Sequence, residues 1–276
     1  MRFGRLFQGD LLLRLALGIS YNGLGYQGWQ SQTSGLTIQD KLEKALGEFT
    51  AQKVSTLCAG RTDAGVHGLM QVIHFDTPID RPEAAWVRGT NALLPHDIAV
   101  QWARVMPQEF HCRASATSRR YAYILLDSPV RPSIDTGRVG WVYKPLRLEC
   151  MQQAAQHLLG EHDFSSFRAS ACQALSPVKH LTRLDISRHG VYWRFEFEAN
   201  AFLHHMIRNL MGCLIMVGDG RKEPGWVLDV LAARDRDAAA PTFSPYGLYF
   251  VGPRYPSQWG LPEHPSLLDG LPGAHT

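Results

Sequence analysis

Residues 58–68 read Cys-Ala-Gly-Arg-Thr-Asp-Ala-Gly-Val-His-Gly, which sets one carboxylate, Asp63, two positions after one guanidinium, Arg61, among three glycines. The flanking residues 54–58 and 69–76 read as short strands, so the acid sits on a glycine-rich loop between two rigid elements, anchored yet open to a large substrate. If Arg61 touches Asp63, its charge favours the ionised carboxylate, ready at neutral pH to act as a nucleophile or a base. Taken alone, Arg-x-Asp in such a loop is more often a solvated turn whose ion pair contributes about 0–1 kcal/mol. The case for chemistry rests on the whole eleven-residue string and on what surrounds it.

Those surroundings are mixed strands and helices. Leu11, Leu13, Leu15, Leu17 and Ile19 alternate with smaller or polar residues, the period of a strand. Thr37 with Asp40 three residues on makes a capping box, and Ile38, Leu42, Ala45, Leu46 and Phe49 share the face of the helix that follows. A helix over 82–93 separates strands at 69–76 and 98–105. Further strands are expected at 119–126, 181–187, 191–199 and 248–251. Helices are expected near 151–159, 201–217 and 226–233. Adjacent strands repeatedly lack a helix between them. The fold class is therefore α+β: two halves, 1–115 and 116–276, each a mainly antiparallel mixed sheet flanked by helices, with a catalytic cleft between them. The Pro- and Gly-rich tail after Tyr255 reads as loose.

The chain has 276 residues, 45% of them hydrophobic and 19% charged, the composition of a globular protein. Its net charge of +3 is too small to argue for nucleic acid, but 6 of its 28 basic residues are Lys and the rest Arg. Arg is the better bidentate phosphate ligand and also stacks on bases, although a codon bias gives the same skew. Five scattered cysteines without Cys-x-x-Cys spacing fit neither a zinc site nor a disulfide framework, and point to a reducing cytoplasm. The apolar run near 11–19 is broken by Arg14 and reads as a strand, not a leader, and the helix near 201–217 carries His204, His205, Arg208 and Asn209, so it is no membrane span.

One motif is misleading. Gly23-Leu24-Gly25-Tyr26-Gln27-Gly28 spells a dinucleotide fingerprint after a strand. Residues 29–35 read as loop, so no helix N-terminus would meet a pyrophosphate there, and no βαβ unit follows. A glycine-permissive turn is the better reading, and a nicotinamide oxidoreductase the lesser one.

With Asp63 placed, the chain resembles the tRNA pseudouridine synthases that act on the anticodon arm. The resemblance is carried by residues 58–68 and, in one order, by Tyr-Asn-Gly at 21–23 with Gly-Trp-Gln at 28–30, Thr-Ile-Gln-Asp-Lys-Leu-Glu at 37–43, Asn-Ala-Leu-Leu-Pro at 91–95, Phe-His-Cys-Arg at 110–113 and Arg-Arg-Tyr-Ala-Tyr at 119–123. Gly-Glu-His-Asp-Phe-Ser-Ser-Phe-Arg at 160–168 and Asn-Ala-Phe-Leu-His-His-Met-Ile-Arg-Asn at 200–209 complete it. The resemblance implies an isomerase that turns uridines at positions 38, 39 and 40 of tRNA into pseudouridine, with Asp63 as catalytic carboxylate, Arg61 as its neighbour and RNA contact, and Tyr121 stacking on the flipped uracil. It also implies RNA contacts at Phe110, His111, Arg113, Arg120 and Arg168, a weaker one at Arg81, and a homodimer with each tRNA bridging both subunits. The reaction transfers no electrons and no group enters or leaves, so neither a cofactor nor a metal is expected. His204 and His205, if adjacent on a helix, point about 100° apart and chelate poorly. Leu93, Ala114 and Ser31 depart from residues common in the family, which bears on which uridines are accepted. A non-catalytic RNA-binding protein of the same fold is the alternative.

Overall fold

The computed structural model describes residues 12–262 and Leu271. The first half is organised around β1 (Leu13–Tyr21), paired antiparallel on one side with β3 (His67–Thr77) and on the other with β4 (Ile98–Met106). The register sets Leu17 against Ile73 and Ala103, so the apolar alternation of β1 falls on the same face as that of its neighbours. Helix α1 (Ile38–Thr50) lies on that face. Its capping box forms as expected, Thr37 accepting from Asp40 N, and it buries Ile38, Leu42, Ala45 and Leu46. Helix α2 (Glu83–Asn91) adds Trp86, which packs edge-on to Phe49 and Phe75.

The second half is built from β5 (Ser118–Asp127), β6 (Gly140–Val142), β7 (Gly160–Asp163), the long hairpin β8 (Val178–His189) and β9 (Tyr192–Ala199), and β10 (Leu248–Arg254). Helices α3 (Leu148–Leu158), α4 (Met206–Gly218) and α5 (Trp226–Ala233) share one apolar core with β5, β8 and β9. The strands of the two halves run into a single ten-stranded sheet, ordered β4-β1-β3-β10-β5-β9-β8-β7, with β2 (Leu57–Cys58) on β3 and β6 on β5. Strand β10 is the join: it runs parallel to β3 and antiparallel to β5. Periodicity within each strand carries no information on that join.

Two boundaries differ from expectation. The strand foreseen from residue 54 is confined to β2, because Thr56 gives its N–H to the Glu43 carboxylate of α1 (2.7 Å) and not to a ladder. The helix foreseen from 201 starts at Met206, since His205 has a left-handed backbone (φ 62°) that ends the preceding loop. Eleven of the thirteen residues of α4 are buried in the chain's own core, which leaves it no apolar face for a second subunit. The N-terminal decapeptide and most of the tail after Tyr255 lie outside the described residues. Within the tail, Trp259 packs against Phe110 at a centroid distance of 5.3 Å. Among the described residues no helix is long and apolar enough to cross a membrane.

Candidate active site

The loop from Ala59 to Val66 leaves β2 and enters β3 at the middle of the sheet, and it is fixed from one side. Trp29 N–H donates to the Thr62 carbonyl (3.0 Å), the Tyr21 and Thr62 hydroxyls lie 2.8 Å apart, and Val66 N–H closes a turn on the Asp63 carbonyl (3.2 Å). The glycines of the misleading motif find their use here. A Cβ on Gly23 would stand 1.9 Å from the Val66 carbonyl oxygen, and one on Gly28 would stand 2.7 Å from that of Thr62. Gly28 also has φ +88°, a conformation that L side chains avoid. The G-x-G-x-x-G segment is thus the wall against which the Asp63 loop is laid.

The Asp63 carboxylate faces the start of α4, where three side chains meet it. Arg208 Nη1 donates to Oδ2 (3.0 Å), while Nε2 of His204 stands 3.3 Å from Oδ1 and Nε2 of His205 stands 3.4 Å from Oδ2. Arg208 is itself braced by Nε donating to the Phe243 carbonyl (2.9 Å). Burial of the His205 ring holds its imidazole below the ordinary range; Asp63 opposes the shift, while His204, Arg208 and Arg236 add to it.

Arg61 was expected beside Asp63, and that pairing does not form. Arg61 is exposed and makes no hydrogen bond or ion pair among the described residues. The half-buried carboxylate is matched by the better shielded Arg208 (15% exposed), where less of the attraction is lost to solvent. The two histidines also differ from the reading that set them on a helix. They precede α4, and the left-handed turn at His205 brings both rings to one side with centroids 4.0 Å apart.

Asp63 lies in a cleft of about 790 Å³ lined from both halves of the chain. Among the described lining residues Asp63 is the only carboxylate, against the guanidinium groups of Arg61, Arg113, Arg119 and Arg208. Tyr121 reaches the cleft from β5, its ring held between Phe250 (4.9 Å) and Phe202 (5.2 Å, edge-on), and burial pushes its phenol well above the usual range. Strand alternation puts Arg119 on the same face of β5, and Arg120 opposite, in a small hollow with Arg183 and Arg254. Of the residues foreseen as RNA contacts, Arg113 lines the cleft and is steadied by Nε donating to the Cys58 carbonyl (3.2 Å).

The other foreseen contacts lie elsewhere for identifiable reasons. Phe110 is fully buried against His74, Tyr255 and Trp259. His111 Nδ1 accepts the backbone N–H groups of Arg113 and Ala114, which turns the chain. Arg168 donates to the carbonyls of Cys172 and Ala174, so it shapes the rim loop without lining the cleft. Arg81 stacks on Phe49 and donates to its carbonyl at the end of α1. Arg119, Arg208 and Phe202 were assigned no role from sequence. The signal for Arg208 was present: it stands three and four residues after the two histidines, one helical turn away.

Comparison with known proteins decides what this cleft belongs to. The tRNA pseudouridine synthase family matches residues 19–113 and 154–256, segments that contain Asp63 and Arg208 respectively. The chain belongs to this family. A tRNA pseudouridine synthase A of Albidiferax ferrireducens is 74% identical over 260 residues, covering 94% of this chain and all of that one. Those of Polaromonas sp. and Paracidovorax citrulli are 67% and 62% identical at the same coverage. This synthase is accordingly an enzyme, an isomerase that forms pseudouridine in tRNA, and the reading of a binding module without chemistry falls.

Proposed function

We propose that this synthase acts on uridines of the tRNA anticodon arm, at positions 38, 39 and 40, with Asp63 as its catalytic carboxylate. The observation that carries the proposal is the one acid among the described residues lining the cleft, fixed by Arg208 and facing a space that fits a nucleoside. Pseudouridine formation breaks the N1–C1′ bond, turns the base, joins C5 to C1′ and releases the C5 proton, while N1 takes up a proton so that the formula is unchanged. A carboxylate serves either by attacking C1′ or by taking a proton from the sugar, and Arg208 steadies its charge before and after either step. The target uridine leaves its stack, which costs a few kcal/mol, and stacking on Tyr121 returns about 1–3 kcal/mol. Arg61, Arg113 and Arg119 hold the flanking phosphates. The enzyme works in the cytoplasm as a homodimer in which residues 1–115 and 116–276 of each subunit form the two walls of the cleft.

Tritium release from tRNA transcripts labelled at uracil C5 tests the site. Release is expected from uridines at 38, 39 and 40, and replacing all three with cytidine should reduce it to background. Undiminished release from the substituted transcript would move the target elsewhere in tRNA.

A further inference from the structure

We infer that Asp63, His204 and His205 together form a binding site for a divalent transition metal such as zinc, and that its occupation shuts down catalysis. One ring nitrogen of each histidine and one oxygen of the Asp63 carboxylate lie within 4.8 Å of one another. Nε2 of His204 stands 3.3 Å from Oδ1 and Nε2 of His205 stands 3.4 Å from Oδ2, so each ring lies about one tetrahedral edge (about 3.3 Å for metal–ligand bonds near 2.0 Å) from its own oxygen of the carboxylate. Two imidazoles and one carboxylate in an open cleft leave the fourth position to water. Adjacent histidines rarely converge this way. Here they do because His205 adopts the left-handed conformation, which brings the rings 4.0 Å apart.

A second cluster shows what disqualifies such a group. His74, His111 and Cys112 are equally close, but Nδ1 of His74 accepts from Cys112 N–H and Nδ1 of His111 from two further backbone N–H groups. A histidine bound to a metal through Nε2 carries its proton on Nδ1, which would then face those donors. Burial also pushes the Cys112 thiol up to about 12. No such bond constrains Nδ1 of His204 or His205 among the described residues. Arg208 competes for Oδ2, yet a carboxylate offers about four lone-pair positions, so Oδ1 and the second lone pair of Oδ2 remain. A metal seated there withdraws the carboxylate from any reaction it performs, which makes the ion an inhibitor and not a cofactor.

The binding claim stands apart from the catalytic reading of Asp63; the inhibition claim rests on it. The purified protein titrated with cobalt(II) alone should develop the visible absorption of a four-coordinate site at one equivalent, and zinc should displace it. His204→Gln should weaken cobalt binding at least tenfold, and so should His205→Asn, which keeps a residue tolerant of positive φ. Cobalt binding unchanged in both variants, or lost only in Cys172→Ser at the rim, would overturn the site. Zinc is also expected to slow tritium release reversibly, with chelation restoring it. Zinc bound through these histidines without slowing release would overturn the inhibitory role while leaving the site in place.

Discussion

Asp63 has two oxygens and three nitrogen-bearing neighbours, and that imbalance organises the centre of the molecule. Arg208 carries the permanent charge, and its own brace on Phe243 fixes where that charge sits. A charge-assisted hydrogen bond of this kind contributes about 1.5–3 kcal/mol. Arg208→Gln is therefore expected to lower kcat roughly 10- to 100-fold with little change in KM for tRNA, read by tritium release under saturating RNA. A change confined to KM would make Arg208 an RNA contact instead. Away from the cleft, burial takes His74 down to about 4. An unfolded histidine titrates near 6.5, so between 6.5 and 4 the unfolded chain binds a proton that the folded one refuses. Stability should be full above 6.5 and fall as pH drops through that window, by up to about 3 kcal/mol. Urea midpoints at pH 7.5 and 4.5 measure it, and the difference should shrink in His74→Gln.

At the scale of elements, the position of Asp63 depends on a contact between two loops. Gly28 permits the Trp29 N–H to reach Thr62, and a methyl group there would push on the backbone of the Asp63 loop. Gly28→Ala is expected to depress tritium release by an order of magnitude or more while the protein stays folded by circular dichroism. Gly35→Ala is the control, with φ +65° but nothing within 4 Å, so its cost is strain alone and release should persist. Equal losses in the two variants would mean that backbone strain, and not the contact with Thr62, is what matters.

For the whole molecule, sequence and structure agree where periodicity is strong. The alternation of β1, β3 and β9 and the apolar face of α1 locate those elements within a few residues. Asp63 and Tyr121 were legible as a loop acid and a strand aromatic, and they share one cleft. The ion pair was not legible, because Arg208 lies 145 residues from Asp63 and only the docking of α4 beside the Asp63 loop brings them together. Phe110 and Arg168, expected as RNA contacts, do not line the cleft for a related reason. A Phe in a polar string and an Arg after a Phe look exposed in one dimension, whereas the fold covers the first with Trp259 and turns the second onto loop carbonyls. The join through β10 was likewise hidden, since pairing order lies outside what any single strand encodes.

The most direct measurement compares tritium release by the parent enzyme with that of Asp63→Asn, which keeps the size of the side chain and removes its charge. Release should fall to background in the variant while tRNA binding, followed by filter retention, stays within a few-fold of the parent. Turnover by Asp63→Asn at a rate near the parent's would contradict the assignment of this carboxylate to the chemistry.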